Sequence, residues 1–128
     1  MADRLEEAAR QAQANAYAPY SRYRVGAALE ALDDRVFSGS NVENASYSLT
    51  MCAERAALCQ AVAAGARQFR QMVVVSDSEP PAPPCGACRQ VLAEFGPDIR
   101  VESVGPRSRK SWLVRDLLPD AFSKELLT

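Results

Sequence analysis

Gln71-Met72-Val73-Val74-Val75-Ser76 is followed by four prolines between Glu79 and Pro84, and then by Cys85-Gly86-Ala87-Cys88-Arg89-Gln90-Val91. This stretch decides the fold. Three consecutive valines read as a buried strand. Proline fixes φ and has no N–H to donate, so 79–84 is a rigid loop rather than a continuation of the strand. Gly86 to Phe95 then reads as a helix, closed by Gly96-Pro97. The chain therefore goes from strand to stiff loop to helix, and a pair of cysteines stands where the loop enters the helix.

The pattern extends in both directions. Asp3 to about Asn15 is a helix whose stripe is Leu5, Ala8, Ala9, Ala12 and Ala16, stopped at Ala18-Pro19. Tyr23 to Leu32 and Arg35 to Ser40 form a hairpin about Asp33-Asp34. Asn41 to Ser46 is a polar loop. Ser48 or Thr50 caps a second helix that runs to about Ala64 and ends at Gly65. Beyond the opening stretch, Ile99 to Val104 and Ser111 to Val114 read as strands. Short helical pieces follow at Arg115 to Leu118 and Phe122 to Leu127. The order predicts an α/β fold, a mixed sheet with helices on both faces. A length of 128 residues fits one domain, 1–128, with a single core.

Composition narrows the function. Net charge is −1 and the pI is about 5.5, which argues against a surface built to grip nucleic acid. Arg107, Arg109 and Lys110 are a small cluster and read as a solvated loop. The longest mostly apolar run, Ala56 to Ala66, is too short to span a bilayer, so no membrane partner is expected. The N-terminal residues are charged and lack an apolar signal region. A cytoplasmic protein is expected, in which four cysteines point to metal or catalysis rather than disulfides.

The chain has no histidine, so a transition-metal site must draw mainly on cysteine and an acid–base catalyst must be another group. Cys85 and Cys88 are three apart at a helix start and face one side of its first turn. Alone, this pair is compatible with a zinc site, a structural site or a redox dithiol. Cys52-Ala53-Glu54 at the start of the other helix supplies a third thiol and a carboxylate. If the two helix N-termini converge, three thiolates hold one zinc ion and leave a position open, as in catalytic zinc sites. Cys59 lies about two turns beyond Cys52, ~10 Å along the helix, too far to share that ion, and reads as a small core residue. Glu54 would serve as the proton carrier. Three thiolates around Zn²⁺ leave a charge of −1, which Arg55, and Arg89 if it reaches, would offset by donating to sulfur.

These motifs sit within a wider match. Pro19-Tyr20-Ser21, Val25-Gly26-Ala27-Ala28-Leu29, Asn41-Val42-Glu43-Asn44-Ala45-Ser46-Tyr47, Cys52 to Ala57, Pro84 to Val91 and Leu117 to Phe122 resemble the small homotetrameric cytidine deaminases. The resemblance implies a three-layer α/β/α sandwich with a five-stranded mixed sheet. It implies one zinc per chain on Cys52, Cys85 and Cys88, with Glu54 as the proton shuttle. The substrate would be a nucleoside, cytidine or 2′-deoxycytidine, deaminated to the uridine product. Asn41 and Glu43 would hold the ribose, Tyr23 would pack near the base, and the backbone near Ala53 and Cys85 would orient the ring. In a homotetramer with sites at subunit boundaries, Ala45, Tyr47 and Phe122 would approach a neighbour's substrate. Pro83, Arg24 and Ser40 depart from the common residues at their positions and bear on loop shape. Trp112 reads as a core aromatic.

Overall fold

The computed structural model describes residues 2–127, with the side chains of residues 2 and 3 left aside. Helix α1 spans Ala2–Ala14, β1 Gly26–Ala31, β2 Val36–Ser40, α2 Ala53–Ala63, β3 Phe69–Val75, α3 Gly86–Ala93, β4 Arg100–Val104, β5 Arg109–Leu113 and α4 Val114–Leu117. Single 3₁₀ turns cover Tyr47–Leu49 and Lys124–Leu127. The sheet order is β2-β1-β3-β4-β5. Only β3 and β4 run parallel, the other neighbours being antiparallel. The mixed five-stranded sheet is as expected.

Period-two alternation sorts the strands' side chains into two cores. Ala28, Val73, Val75 and Val104 face α1, where they meet Leu5 and Ala9. Ala27, Leu29, Met72, Val74 and Val101 face the other way, towards Ala57, Leu58 and Ala61 of α2, Leu92 of α3 and Val114 and Leu117 of α4. Trp112 packs against this second core, as its sequence context suggested. The result is the α/β/α sandwich, with α1 alone on one face.

Two glycines set how close the helices come. A Cβ on Gly26 would lie 1.9 Å from the Ala9 carbonyl oxygen of α1. A Cβ on Gly39 would lie 2.4 Å from the Ala57 nitrogen and 2.7 Å from the Ala53 oxygen of α2. Ala53, Ala57 and Ala61 recur at helical spacing on the buried face of α2 and allow this approach. Gly39 thus fixes the height of the helix whose first turn follows Cys52.

Several expected boundaries move. Strand β1 begins at Gly26, so Tyr23 lies in the preceding loop, whose polar atoms are tied by Asn41 rather than by a sheet partner. Neither Ser48 nor Thr50 caps α2. Ser48 lies in the 3₁₀ turn, Thr50 Oγ1 accepts the Asn44 N–H, and the N-cap is Cys52. Arg109 and Lys110 belong to β5 rather than to a loop. Arg109 pairs with Glu6 of α1 at 3.0 Å and Glu102 of β4 at 3.6 Å, and Lys110 covers the Trp112 ring.

Gly39→Ala is expected to destabilise the fold by about 1–3 kcal/mol, the usual cost of overpacking. It should also lower bound zinc, because the methyl group pushes α2 away from the sheet. Denaturant midpoints and zinc content measured together would check this, and an unchanged midpoint would show that α2 does not depend on that contact.

Candidate metal centre and cleft

Antiparallel pairing brings the start of β1 and the ends of β2 and β3 to one edge of the sheet, where Gly26 pairs with Ser40 and with Val75. Val25, Asn41 and Ser76 line that edge, together with the helix that follows β2 and the proline loop that follows β3. Helix α2 starts from Cys52 and α3 from Cys85, each an N-cap in extended conformation whose side chain caps no backbone N–H. An N-cap oxygen would ordinarily accept such a donor. Here both positions carry sulfur, and the sulfurs turn toward each other.

Cys52, Cys85 and Cys88 place their Sγ atoms within 4.8 Å of one another. Cys52 and Cys85 are 3.8 Å apart, and Cys85 and Cys88 3.5 Å. Zinc–sulfur bonds of ~2.3 Å in a tetrahedron give sulfur–sulfur edges of about 3.8 Å, so the three thiols match one face of a zinc tetrahedron. None is in a disulfide. A redox dithiol would need only two of them. Cys59 stays outside the cluster, as expected, but it is not a core residue: it lies on the exposed face of α2.

The charges around the sulfurs are asymmetric. The Cys52 thiol is drawn down to about 5, first by its hydrogen bond with Cys88 and then by Arg55, whose Nη2 donates to Cys52 Sγ at 3.4 Å. The Cys88 thiol is pushed up by that same bond with Cys52 and by burial. Metal binding takes thiolates, so Arg55 beside Cys52 favours it at that ligand. Arg89 does not share the role of Arg55. Its guanidinium donates to the carbonyls of Pro84 and Leu117 instead.

Glu54 is buried, at 8% exposure, in the first turn of α2. Burial pushes its carboxyl above the usual carboxylate range, and the neighbouring Cys52 charge adds to that. Within a helix, residues two apart diverge by about 200°. Because Cys52 lies outside the helix as its N-cap, both side chains reach the same cleft.

That cleft, about 290 Å³, is lined by Tyr23, Asn41, Glu43, Cys52, Ala53, Glu54 and Cys85 among others. Seven of the expected site residues thus share one cavity. Asn41 is partly committed: its Nδ2 donates to the Tyr23 carbonyl at 2.8 Å and its Oδ1 accepts the Val25 N–H at 2.9 Å. Glu43 accepts the N–H groups of Tyr20 and Ser21 at 3.0 and 3.1 Å, and the Ser21 hydroxyl. That hydroxyl above all holds its carboxyl below the usual range. Ala45, Tyr47 and Phe122 do not line this cleft. All three are exposed, Tyr47 at 81% and Phe122 at 61%. Thr50, Met51, Val74, Ser76, Ala82 and Pro83 also line it and were not singled out as site residues. The position of Met51 beside Cys52 and the departure at Pro83 were the only signals for them.

A family model described as the cytidine and deoxycytidylate deaminase zinc-binding region matches residues 2–102. The cytidine deaminase of Sporosarcina psychrophila is 45% identical over 98% of this chain and 94% of its own length. That of Halalkalibacterium halodurans is 50% identical over 90% and 89%. The crystal structure of cytidine deaminase from Burkholderia pseudomallei superposes with a TM-score of 0.91 at 49% identity, covering 95% of this chain and 99% of that one. Likeness of this extent, in sequence and backbone alike, carries past the metal motif into every layer of the sandwich, and the chain belongs to the cytidine and deoxycytidylate deaminase family.

Proposed function

We propose that this chain hydrolyses the 4-amino group of cytidine and 2′-deoxycytidine, giving uridine or 2′-deoxyuridine and ammonia. Cys52, Cys85 and Cys88 hold one zinc per chain, and Glu54 is the proton shuttle. The observation that carries this reading is a buried carboxyl in a nucleoside-sized cleft that Cys52 and Cys85 also line, with the buried Cys88 completing three sulfurs at zinc spacing. Zinc, when bound, supplies the Lewis acidity that lets water lose a proton near neutral pH.

The chain's own part is the handling of protons and position. Burial raises the proton affinity of Glu54 above that of an ordinary carboxyl, which suits it to take a proton and return it. Glu54 accepts a proton from the attacking water and delivers it to N3 of the pyrimidine as the new oxygen bonds to C4. A second proton passes through Glu54 to the exocyclic amine. The C4–N4 bond breaks, ammonia leaves, and the C4 carbonyl forms. One water enters and one ammonia departs.

Glu43 stays anionic and offers an acceptor to the ribose hydroxyls, while Asn41 keeps one N–H and one lone pair beyond its backbone bonds. Tyr23 packs near the base and the Ala53 backbone orients it. Ala45, Tyr47 and Phe122 serve a neighbour's cleft in a homotetramer. In support, these side chains are exposed, and Tyr17, Val42 and Leu49 add to the exposed apolar surface. Among the described residues no helix is long and apolar enough to cross a membrane. We place the enzyme in the cytoplasm, where thiols stay reduced.

An ultraviolet assay on cytidine, deoxycytidine, cytosine and CMP, with zinc quantified in the same sample, tests the reading. Both nucleosides should turn over with one zinc per chain. Turnover of cytosine but not cytidine would remove Asn41 and Glu43 from sugar binding. Light scattering on the eluted enzyme should give four chains per particle, and a fully active monomer would contradict the shared site.

Glu54→Gln is expected to lower turnover by at least ~10²–10⁴ while zinc stays bound. It also has a stability signature in the metal-free chain. A carboxyl raised by folding contributes stability at low pH that is lost as pH climbs through the raised value. The glutamine variant, neutral throughout, should match wild type in denaturant midpoint at about pH 4 and exceed it at about pH 8. A lower midpoint at the higher pH would mean that Glu54 is not held in a desolvated place.

A further inference from the structure

The wall of the cleft beside Cys85 is a segment that cannot satisfy its own polar groups. In Pro80-Pro81-Ala82-Pro83-Pro84 only Ala82 has an N–H, so the carbonyls must find donors elsewhere. Alternate carbonyls do so through three side chains. Ser78 Oγ donates to Pro80 O at 2.7 Å, Ser103 Oγ of β4 to Ala82 O at 2.7 Å, and Arg89 Nε of α3 to Pro84 O at 2.8 Å. Ser103 is fully buried.

Arg89 differs from the two serines because it holds two segments at once. Its Nη1 donates to Leu117 O, at the end of α4, at 2.9 Å. The next residue, Gln90, donates Nε2 to Phe122 O at 2.8 Å. The segment from Leu117 to Phe122 is therefore tied to α3 by the side chains of Arg89 and Gln90. One of its two ties is shared with the carbonyl immediately before Cys85.

Geometry makes that sharing consequential. Pro84 C=O and Cys85 N belong to one peptide plane, so fixing the oxygen fixes the plane from which the Cys85 side chain departs. Flanking prolines keep the loop from absorbing a displacement by local rotation. Conversely, a metal ion that pins Cys85 Sγ holds the Pro84 carbonyl in place for Arg89. The guanidinium is then already ordered when it meets Leu117, and the second bond costs less conformational entropy.

We propose that Arg89 is a positioning residue that couples the metal loop to the C-terminal segment, so that filling the metal site orders residues 118–122 and losing the metal releases them. This rests on the reading of Cys85 as a metal ligand. Because Phe122 lies in that segment, the metal of one subunit sets the pose of the side chain offered to the next.

Amide hydrogen exchange on the full-length reduced chain, metal-free and with one equivalent of zinc, tests the coupling, with bound zinc quantified in each sample. Zinc should slow exchange in 82–88 and also in 118–122, the latter by about tenfold, the equivalent of one net hydrogen bond. Arg89→Gln should still bind one zinc and protect 82–88, yet lose the protection at 118–122 and release zinc to a chelator about tenfold faster. Arg89→Lys, which can reach one carbonyl but lacks the fork, should fall between. Stoichiometric zinc binding without any change at 118–122 in the wild-type chain would overturn the coupling, as would full zinc-dependent protection in Arg89→Gln. Absence of bound zinc in the wild-type chain would overturn the metal reading itself. The wild-type comparison decides even if a variant fails to fold.

Discussion

Two helices that start on cysteine, and start beside each other, are the constraint on which the rest depends. An N-cap residue is outside the helix but rigidly attached to it, so its side chain is aimed by the helix axis. Setting Cys52 and Cys85 at two such positions places both sulfurs beside the partial positive charge of the helix ends. Cys88 joins from one turn inside α3. Everything that fixes α2 and α3 against the sheet then fixes the sulfur triangle: the Gly39 contact, the alanine face of α2, and the Leu92 and Leu58 packing of the second core.

The same arrangement explains the ionisable groups. A triangle of thiols gathers negative charge, and Arg55 is the cation that meets it. Glu54 stands next to that charge and out of water, which raises its proton affinity and makes its ionised form a burden on the fold. The burial that would suit Glu54 to its proposed role as proton carrier is the feature that a neutral isostere would relieve. Glu43 lies at the other end of the same cleft under opposite rules. Half-buried and surrounded by donors, it is kept anionic. Two carboxyls in one cavity are thus tuned in opposite directions by burial and by hydrogen bonding.

Much of this was legible in the sequence, for identifiable reasons. The valine run, the four-proline loop and the alternation around Leu29 are local signals, and they placed the strands and the two cysteine-bearing junctions. The absence of histidine and the spacing of Cys52, Cys85 and Cys88 gave the metal centre. What escaped was decided by tertiary contacts. Thr50 looked like a cap, but its hydroxyl oxygen is taken by the Asn44 N–H, and the helix is capped two residues later by Cys52. Tyr23 looked like strand, but the Asn41 amide holds its carbonyl in a loop. Arg109 is exposed, as expected, but it stands on a strand, and Glu6, more than a hundred residues earlier, pairs with it. Arg89 was weighed as a sulfur donor by its proximity in sequence. Its side chain instead runs to backbone carbonyls that spacing alone cannot reveal.

The central claim is a three-sulfur zinc centre with one position left for chemistry. X-ray absorption at the zinc edge on the purified, reduced enzyme measures that ligand set directly. The account predicts three sulfur scatterers at about 2.3 Å and one lighter oxygen or nitrogen scatterer at about 2.0–2.2 Å. Four sulfurs would bring Cys59 to the metal and close the open position, and a shell of oxygen and nitrogen alone would place the ion away from the helix starts. Either result would contradict it.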